Sequence, residues 1–215
     1  MVPLLFASKN LHKVRELRAL LKEPRIRAML GEVELDLLTL KDYPAFEVAE
    51  ETGSTFAENA LLKARKAAQE LQIITLADDS GLCIPALNGA PGVRSARYAG
   101  PEGTDRDCRR ALLAAMSGLH GEQRFGQYEC ALALVTPDGT TAVATGTCHG
   151  EILSSDRGHG GFGYDALFLR HEYAKTFAEM DEALKNRISH RRKALERLVP
   201  HLRRIAEQVG EHVDS

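Results

Sequence analysis

A helix that runs without a linker into a buried strand limits the folds open to this sequence more than any other feature. Thr55-Phe56-Ala57-Glu58 has capping-box spacing, with Thr55 as N-cap and Glu58 reaching back from the third helical position. Ala60, Ala64, Ala67 and Leu71 then form a narrow stripe of mostly small side chains, suited to close packing on a sheet. The apolar residues 73–77 follow and lead straight into Asp78-Asp79-Ser80-Gly81. The chain also opens on a strand–turn–helix unit. Residues 4–7 read as a short buried strand, Ser8-Lys9-Asn10 as a polar turn, and Val14, Leu17 and Leu21 as one face of a helix. Strands and helices in this succession predict an α/β fold.

The rest of the chain adds elements to the same plan. Residues 23–50 carry no assignable pattern. Residues 82–87 read as a second extended segment interrupted by Pro85, with turns at Gly89, Pro91 and Gly92. Thr104 caps a helix that ends near Gly118. Residues 127–136 and 140–147 read as strands joined at Pro137-Asp138-Gly139, a hairpin signal. A glycine cluster at 158–163 precedes a third extended stretch, 164–169. Ser189 caps a last helix bearing Leu195, Leu198 and Leu202, which Pro200 is expected to kink or to end half-way. No linker invites a cut, so the expectation is one domain over residues 1–215, built on a mixed sheet.

Composition removes several classes of function. With 215 residues, 44% hydrophobic and 27% charged, the chain can bury a core of its own. A formal charge of −2 supplies no general attraction to polyanions, so neither nucleic acid nor a membrane surface is expected as partner. Cys83, Cys108, Cys130 and Cys148 are widely spaced and form no C-x-x-C pair, which predicts reduced core thiols in the cytoplasm rather than a zinc site. The apolar start at residues 2–7 is too short for a membrane span or a signal-peptide core.

Chemistry could reside in four places. Asp78 and Asp79 follow a strand, so their side chains point to opposite faces and take different roles; an acidic turn is the plainer reading of the same residues. Glu50-Glu51-Thr52-Gly53 precedes the helix on which Asn59 and Lys63 share a face, an arrangement able to hold a metal and a phosphate together. Ser8, Asn10 and Lys13 surround a helix N-terminus, which suits a phosphate although no Walker A loop occurs. Gly158-His159-Gly160-Gly161-Phe162-Gly163 matches G-x-G-x-x-G in form only, because a strand rather than a helix is expected after it. It reads instead as a flexible loop that brings Phe162, and Tyr164 with it, to a planar ligand. Lys185, Ser189, His190 and Arg191 gather donors near the start of the last helix.

These pieces stand in an order that resembles the inosine-triphosphatase family, pyrophosphatases of non-standard purine nucleotides, from near residue 4 to near residue 195. The stretches that carry the resemblance are residues 7–17, residues 51–60 with Lys63-Ala64, residues 77–82, residues 89–98, Gly161-Phe162-Gly163-Tyr164-Asp165 and Ser189-His190-Arg191. The chain departs from the family pattern at Lys9, where a glycine is usual, and at Ala166, where a proline is usual. Lys9 alters how closely backbone can approach a phosphate and adds a donor; Ala166 alters loop stiffness.

The resemblance implies an elongated mixed β-sheet with flanking helices, in two lobes around a central cleft, and a homodimer. It implies hydrolysis of inosine, deoxyinosine and xanthosine triphosphates to the monophosphate and pyrophosphate, with one Mg²⁺ per subunit. Asp79 is then the general base and a metal ligand, with Glu51 the other metal ligand, its neighbour Glu50 leaving the register one residue open. Ser8, Lys9, Asn10, Leu11, His12, Lys13, Lys63 and Ser80 would hold phosphates or sugar. Phe162, Gly163, Tyr164, Asp165, Lys185, His190 and Arg191 would hold the base. Lys185 and Arg191 are donors only, and so suit the 6-keto group of hypoxanthine or xanthine over the amino group of adenine. The competing readings are a pyrophosphatase for modified pyrimidine triphosphates and a nucleotide-binding module without catalysis.

Overall fold

A computed structural model describes residues 1–213. Its elements, in chain order, are β1 (Val2–Phe6), α1 (Leu11–Lys22), α2 (Pro24–Leu30), β2 (Leu35–Thr39), α3 (Phe56–Leu71), β3 (Thr75–Cys83), α4 (Asp105–Ala115), β4 (Phe125–Val135), β5 (Thr141–Ile152), β6 (Phe168–Arg170), β7 (Lys175–Thr176), α5 (Glu182–Ile188) and α6 (His190–Val213). The strands form one seven-stranded sheet in the order β2-β1-β3-β4-β5-β6-β7. β1 pairs parallel with β2 and β3, while β6 pairs antiparallel with β5 and β7, so the sheet is mixed. The α/β reading holds.

The chain divides into two compact units. The first takes residues 1–79, 130–146 and 191–215; the second takes residues 80–129 and 147–190. Each has its own apolar core. In the first, Leu4, Leu17, Leu76, Leu132 and Leu195 are fully buried. In the second, Leu82, Leu112, Leu167 and Phe168 are fully buried, with Tyr128 and Phe177 beside them. Burial of each such side chain stabilises the fold by about 1.5–3 kcal/mol.

Local signals explain most of the elements. The Thr55 hydroxyl accepts from Glu58 N–H at 3.1 Å, and Glu58 Oε2 accepts from Thr55 N–H at 3.2 Å, so the capping box forms at the head of α3. Ala60, Ala64 and Ala67 are fully buried along that helix. Thr104 and Asp107 form the equivalent box at α4. In the hairpin between β4 and β5, Thr136 N–H donates to the Thr140 carbonyl and Gly139 N–H to the Thr136 carbonyl, each at 3.0 Å.

Four expectations need correction. Residues 23–50 are not patternless: α2 starts with Pro24 in its first turn, and β2 lies beside β1 at the sheet's edge. Asp78-Asp79-Ser80-Gly81 is not a strand-end turn but the middle of the nine-residue β3, and the chain first turns beyond it at Pro85–Leu87, a short 3₁₀ helix. The stretch 164–169 is mostly turn: Asp165 N–H donates to the Phe162 carbonyl and Leu167 N–H to that of Tyr164, and strand begins at Phe168. Pro200 does not end α6, which runs through it, because Leu195, Leu198, Val199, Leu202 and Ile205 keep one face buried on both sides of the proline.

Candidate active site

The pleat of β3 sends its two acids apart, and each meets different partners. Asp78 is almost fully buried. Arg191 Nε donates to its Oδ2 at 2.8 Å, Cys130 Sγ lies 3.1 Å from the same oxygen, and Lys13 Nζ pairs with Oδ1. Arg191, itself fully buried, also pairs with Glu16 on α1. Burial alone would raise the Asp78 carboxyl, but Arg191 and Lys13 hold it well below the usual carboxylate range. Asp78 is thus a fixed anion that ties α1, β3 and α6 together.

Asp79 sits in a different setting. Asn59 Nδ2 donates to its Oδ2 at 3.1 Å, and Lys63 Nζ stands 3.5 Å from its Oδ1. Lys63 also donates to Glu51 Oε1 at 2.8 Å and to the Asp78 carbonyl at 2.7 Å. Burial, reinforced by the Glu51 charge, lifts the Asp79 carboxyl above the ordinary carboxylate value, although Lys63 and Lys13 pull the other way. Burial would lower Lys63, yet Asp79 and Glu51 raise it above a free lysine. The loop that carries Glu51 is pinned by Asn59, whose Oδ1 accepts from Gly53 N–H at 2.7 Å. A Cβ at Gly53 would stand 2.6 Å from Glu58 Cβ and 2.8 Å from Asn59 Oδ1, so only glycine lets the loop approach this closely.

Two oxygen donors around one buried ammonium fit a hard divalent cation, which takes one or two protein carboxylates and fills its other positions with water and phosphate. Glu51 and Asp79 supply two such oxygens; Glu50 is exposed. Among the described residues no group of three His, Cys, Asp or Glu side chains could close a metal cage.

At the head of α1, Asn10 caps its own helix: its Oδ1 accepts from His12 N–H at 2.9 Å and Lys13 N–H at 3.2 Å. Ser8 Oγ accepts from Asn10 N–H at 3.2 Å. Lys9, Leu11 and His12 are exposed, and only Lys13 turns inward, to Asp78.

The second unit gathers a different set. Asp165 is buried, and its Oδ2 accepts from Lys185 Nζ at 2.6 Å and from Phe162 N–H at 2.9 Å; its Oδ1 accepts from Tyr128 at 3.2 Å. Burial first, then the Asp165 charge, push the Tyr128 hydroxyl well above its ordinary pKa, so it stays a donor. Lys185 Nζ lies 4.8 Å from the centre of the Phe162 ring. His190 stacks on Tyr128, with ring centres 4.8 Å apart and 10° between planes. Tyr164 is elsewhere: it is buried in the core and its hydroxyl donates to the Ser95 carbonyl at 2.9 Å. Ser80 follows Asp79 in β3 and is half-buried. The loop 158–163 is bonded to its surroundings at several points. Gly160 N–H donates to the Ala178 carbonyl at 3.0 Å, and Gly161, at φ +72°, leaves room for Asp165 Oδ2, which would stand 2.1 Å from a Cβ there.

Sequence reasoning missed Glu16, Tyr128 and Cys130 as members of these clusters. Glu16 lies within the stretch 7–17 that carries the resemblance, but its role, like those of Tyr128 and Cys130, depends on partners from other parts of the chain. Arg191 was grouped with the base-reading donors, whereas its guanidinium is directed at Asp78 and Glu16.

A mixed α/β sheet that buries one acid as a fixed anion, and keeps its neighbour basic beside a lysine and a second carboxylate, defines a hydrolytic centre suited to phosphate substrates. The chain belongs to the Ham1 family, whose model matches residues 4–201. It is 47% identical over 205 residues to a dITP/XTP pyrophosphatase of Protochlamydia amoebophila, covering 95% of this chain and 99% of that one. A dITP/XTP pyrophosphatase of Chlamydia trachomatis is 45% identical over 200 residues, covering 93% of this chain and 92% of the relative. The solved structure of a HAM1 protein from Coxiella burnetii superposes with a TM-score of 0.80 at 38% identity, covering 94% of this chain and 98% of the other.

Proposed function

We propose that this chain hydrolyses non-standard purine nucleoside triphosphates, dITP, ITP and XTP, to the monophosphate and pyrophosphate. Membership of the Ham1 family and the names of its close relatives support this reading. The observation that carries it is Asp79: a buried acid, raised above its ordinary pKa, oriented by Asn59 and set beside Lys63 and Glu51.

Breaking the bond between the α- and β-phosphates needs an oriented water, a group to take its proton, and cations against the phosphate charge. Asp79 takes the proton, because its raised pKa makes it a better base than a free carboxylate. Lys63 holds Asp79 and Glu51 in place and offers positive charge to the substrate, and Lys13 offers it from the head of α1. Glu51 and Asp79 would hold Mg²⁺, which supplies further charge neutralisation when bound. Ser8, Lys9, Asn10, Leu11, His12 and Ser80 serve the phosphates and sugar.

In the second unit, Phe162 offers a ring for stacking a planar base. Lys185 offers a donor to a 6-keto purine, with Asp165 holding both; Gly163 and His190 shape their surroundings, while Tyr164 is buried against Ser95. Arg191 acts on the catalytic strand through Asp78 instead of reading the base. The family resemblance also carries a homodimer, and the widely spaced cysteines suit a cytoplasmic setting. Among the described residues no helix is long and apolar enough to cross a membrane. The test is pyrophosphate release from ITP, dITP, XTP and ATP, with Mg²⁺ and with EDTA. Mg²⁺-dependent release from the first three, and little from ATP, is the expected result; equal rates on all four overturn it.

A further inference from the structure

The loop that carries Phe162 is gripped by two side chains that the chemistry above does not use. Asp105 and Arg109 lie four residues apart on α4, one turn, and share a face of that helix. Both hold the same residue. Gly163 N–H donates to Asp105 Oδ2 at 2.6 Å, and Arg109 Nη1 donates to the Gly163 carbonyl at 2.8 Å. Arg109 Nε also lies 3.0 Å from each oxygen of Asp156, so one guanidinium ties the loop's start to its end. Within the loop, the Phe162 N–H donates to the Asp165 oxygen that also accepts from Lys185.

We propose that Asp105 and Arg109 are positioning residues: by pinning Gly163 and Asp156 they keep the Phe162 ring against Lys185, and so set how tightly the purine of the substrate is held. The inference rests on the reading of Phe162 and Lys185 as base-binding residues. Pins of this kind at the surface add little to overall stability, because solvent competes for them. Their effect is on loop geometry, and the grip on the purine is taken as uniform binding, equal in the ground and transition states, whose loss raises KM and leaves kcat. KM is therefore the constant they govern.

The experiment compares the full-length wild type with Arg109→Gln, Asp105→Asn and Arg109→Lys. Backbone hydrogen exchange of residues 158–163 is followed by mass spectrometry, and ITP turnover is measured on the same samples. Arg109→Gln and Asp105→Asn are expected to exchange faster in this loop with no change across β4 or α6. Their KM for ITP is expected to rise roughly three- to tenfold with kcat within about twofold, the scale of one or two hydrogen bonds. Arg109→Lys, which keeps the charge and one donor, recovers part of the KM. Unchanged exchange at 158–163, or faster exchange with unchanged KM, overturns the inference. Absence of ITP turnover by the wild type overturns the activity reading beneath it, while the exchange result still judges the pins.

Discussion

Lys63 donates to Glu51 Oε1 at 2.8 Å while its Nζ remains 3.5 Å from Asp79 Oδ1, so a single buried ammonium links the loop before α3 to the middle of β3. This contact makes Glu51 and Asp79 one electrostatic unit although they are distant in sequence. A change at either acid is felt by the other through Lys63.

Asp79→Asn preserves the shape of the side chain and removes the proposed base. Its kcat for ITP is expected to fall by about 10²–10⁴, the usual contribution of a positioned general base. Near-normal pyrophosphate release from a folded variant would sink the assignment. Glu51→Gln is expected to raise the Mg²⁺ concentration that gives half-maximal rate by roughly tenfold, the scale of one charge-assisted contact. A titration that superposes on the wild type would move the metal away from Glu51.

Arg191→Ala removes the buried guanidinium that pairs with both Asp78 and Glu16. Loss of one member of a buried pair costs about 3–5 kcal/mol, and urea unfolding monitored by circular dichroism should show a loss of that size. The acid side has a definite sign. A carboxylate with depressed pKa stabilises the fold above the ordinary carboxylate pKa and loses that contribution as pH falls through its own lowered value. Removing Arg191 lets the Asp78 pKa rise, so acid unfolding should begin at higher pH than in the wild type. A variant of unchanged stability that instead lost its preference for ITP over ATP would return Arg191 to base recognition.

Lys185→Met keeps much of the aliphatic stem and deletes the ammonium donor that lies by Phe162 and Phe177. The ratio of kcat/KM for ITP over ATP should drop by at least about tenfold, because a donor facing a 6-keto group discriminates through the pairing it allows. Competition assays with both nucleotides in one vessel measure that ratio directly. An unchanged ratio would show that the 6-position is read elsewhere.

Cys83 is half-buried, and burial together with the neighbouring Glu129 carboxylate pushes its thiol up to about 12. At pH 8 roughly one thiol in ten thousand is then ionised, and alkylation by iodoacetamide should be about a thousandfold slower than for free cysteine. Peptide mapping after timed labelling follows this site. Glu129→Gln should speed the reaction, and fast labelling of the wild type at pH 8 would contradict the assigned environment.

What could be read from the sequence was local. The Thr55–Glu58 box, the alanine stripe on α3 and the turn at Pro137-Asp138-Gly139 depend on neighbours a few residues apart, and each forms as its pattern indicates. The division of labour between Asp78 and Asp79 was also legible, since strand pleating alone separates their side chains. Their setting was not. Asp, Ser and Gly have turn preferences, and these are overridden here by Arg191, which lies 113 positions away and stabilises a buried acid inside a strand. β2 escaped notice for a similar reason: it is a short, half-buried edge strand, and it is its pairing with β1 that defines it. No local pattern singles out Asp105 and Arg109, because their grip on Gly163 spans more than fifty residues.

The two compact units are assembled from interleaved stretches of chain, three for the first and two for the second. No start and stop codon can therefore be placed to express either one as a continuous fragment, and shuffling either half into another gene would carry away part of its companion. The acid pair shows this most sharply: Asp79 closes one stretch and Ser80 opens the next, so a truncation after Asp79 leaves that acid without the strand residues that continue it. Mutational tolerance should follow the same seams, with insertions accepted in the hairpin at Pro137-Asp138-Gly139 and refused at the crossings within β3, β4 and β5.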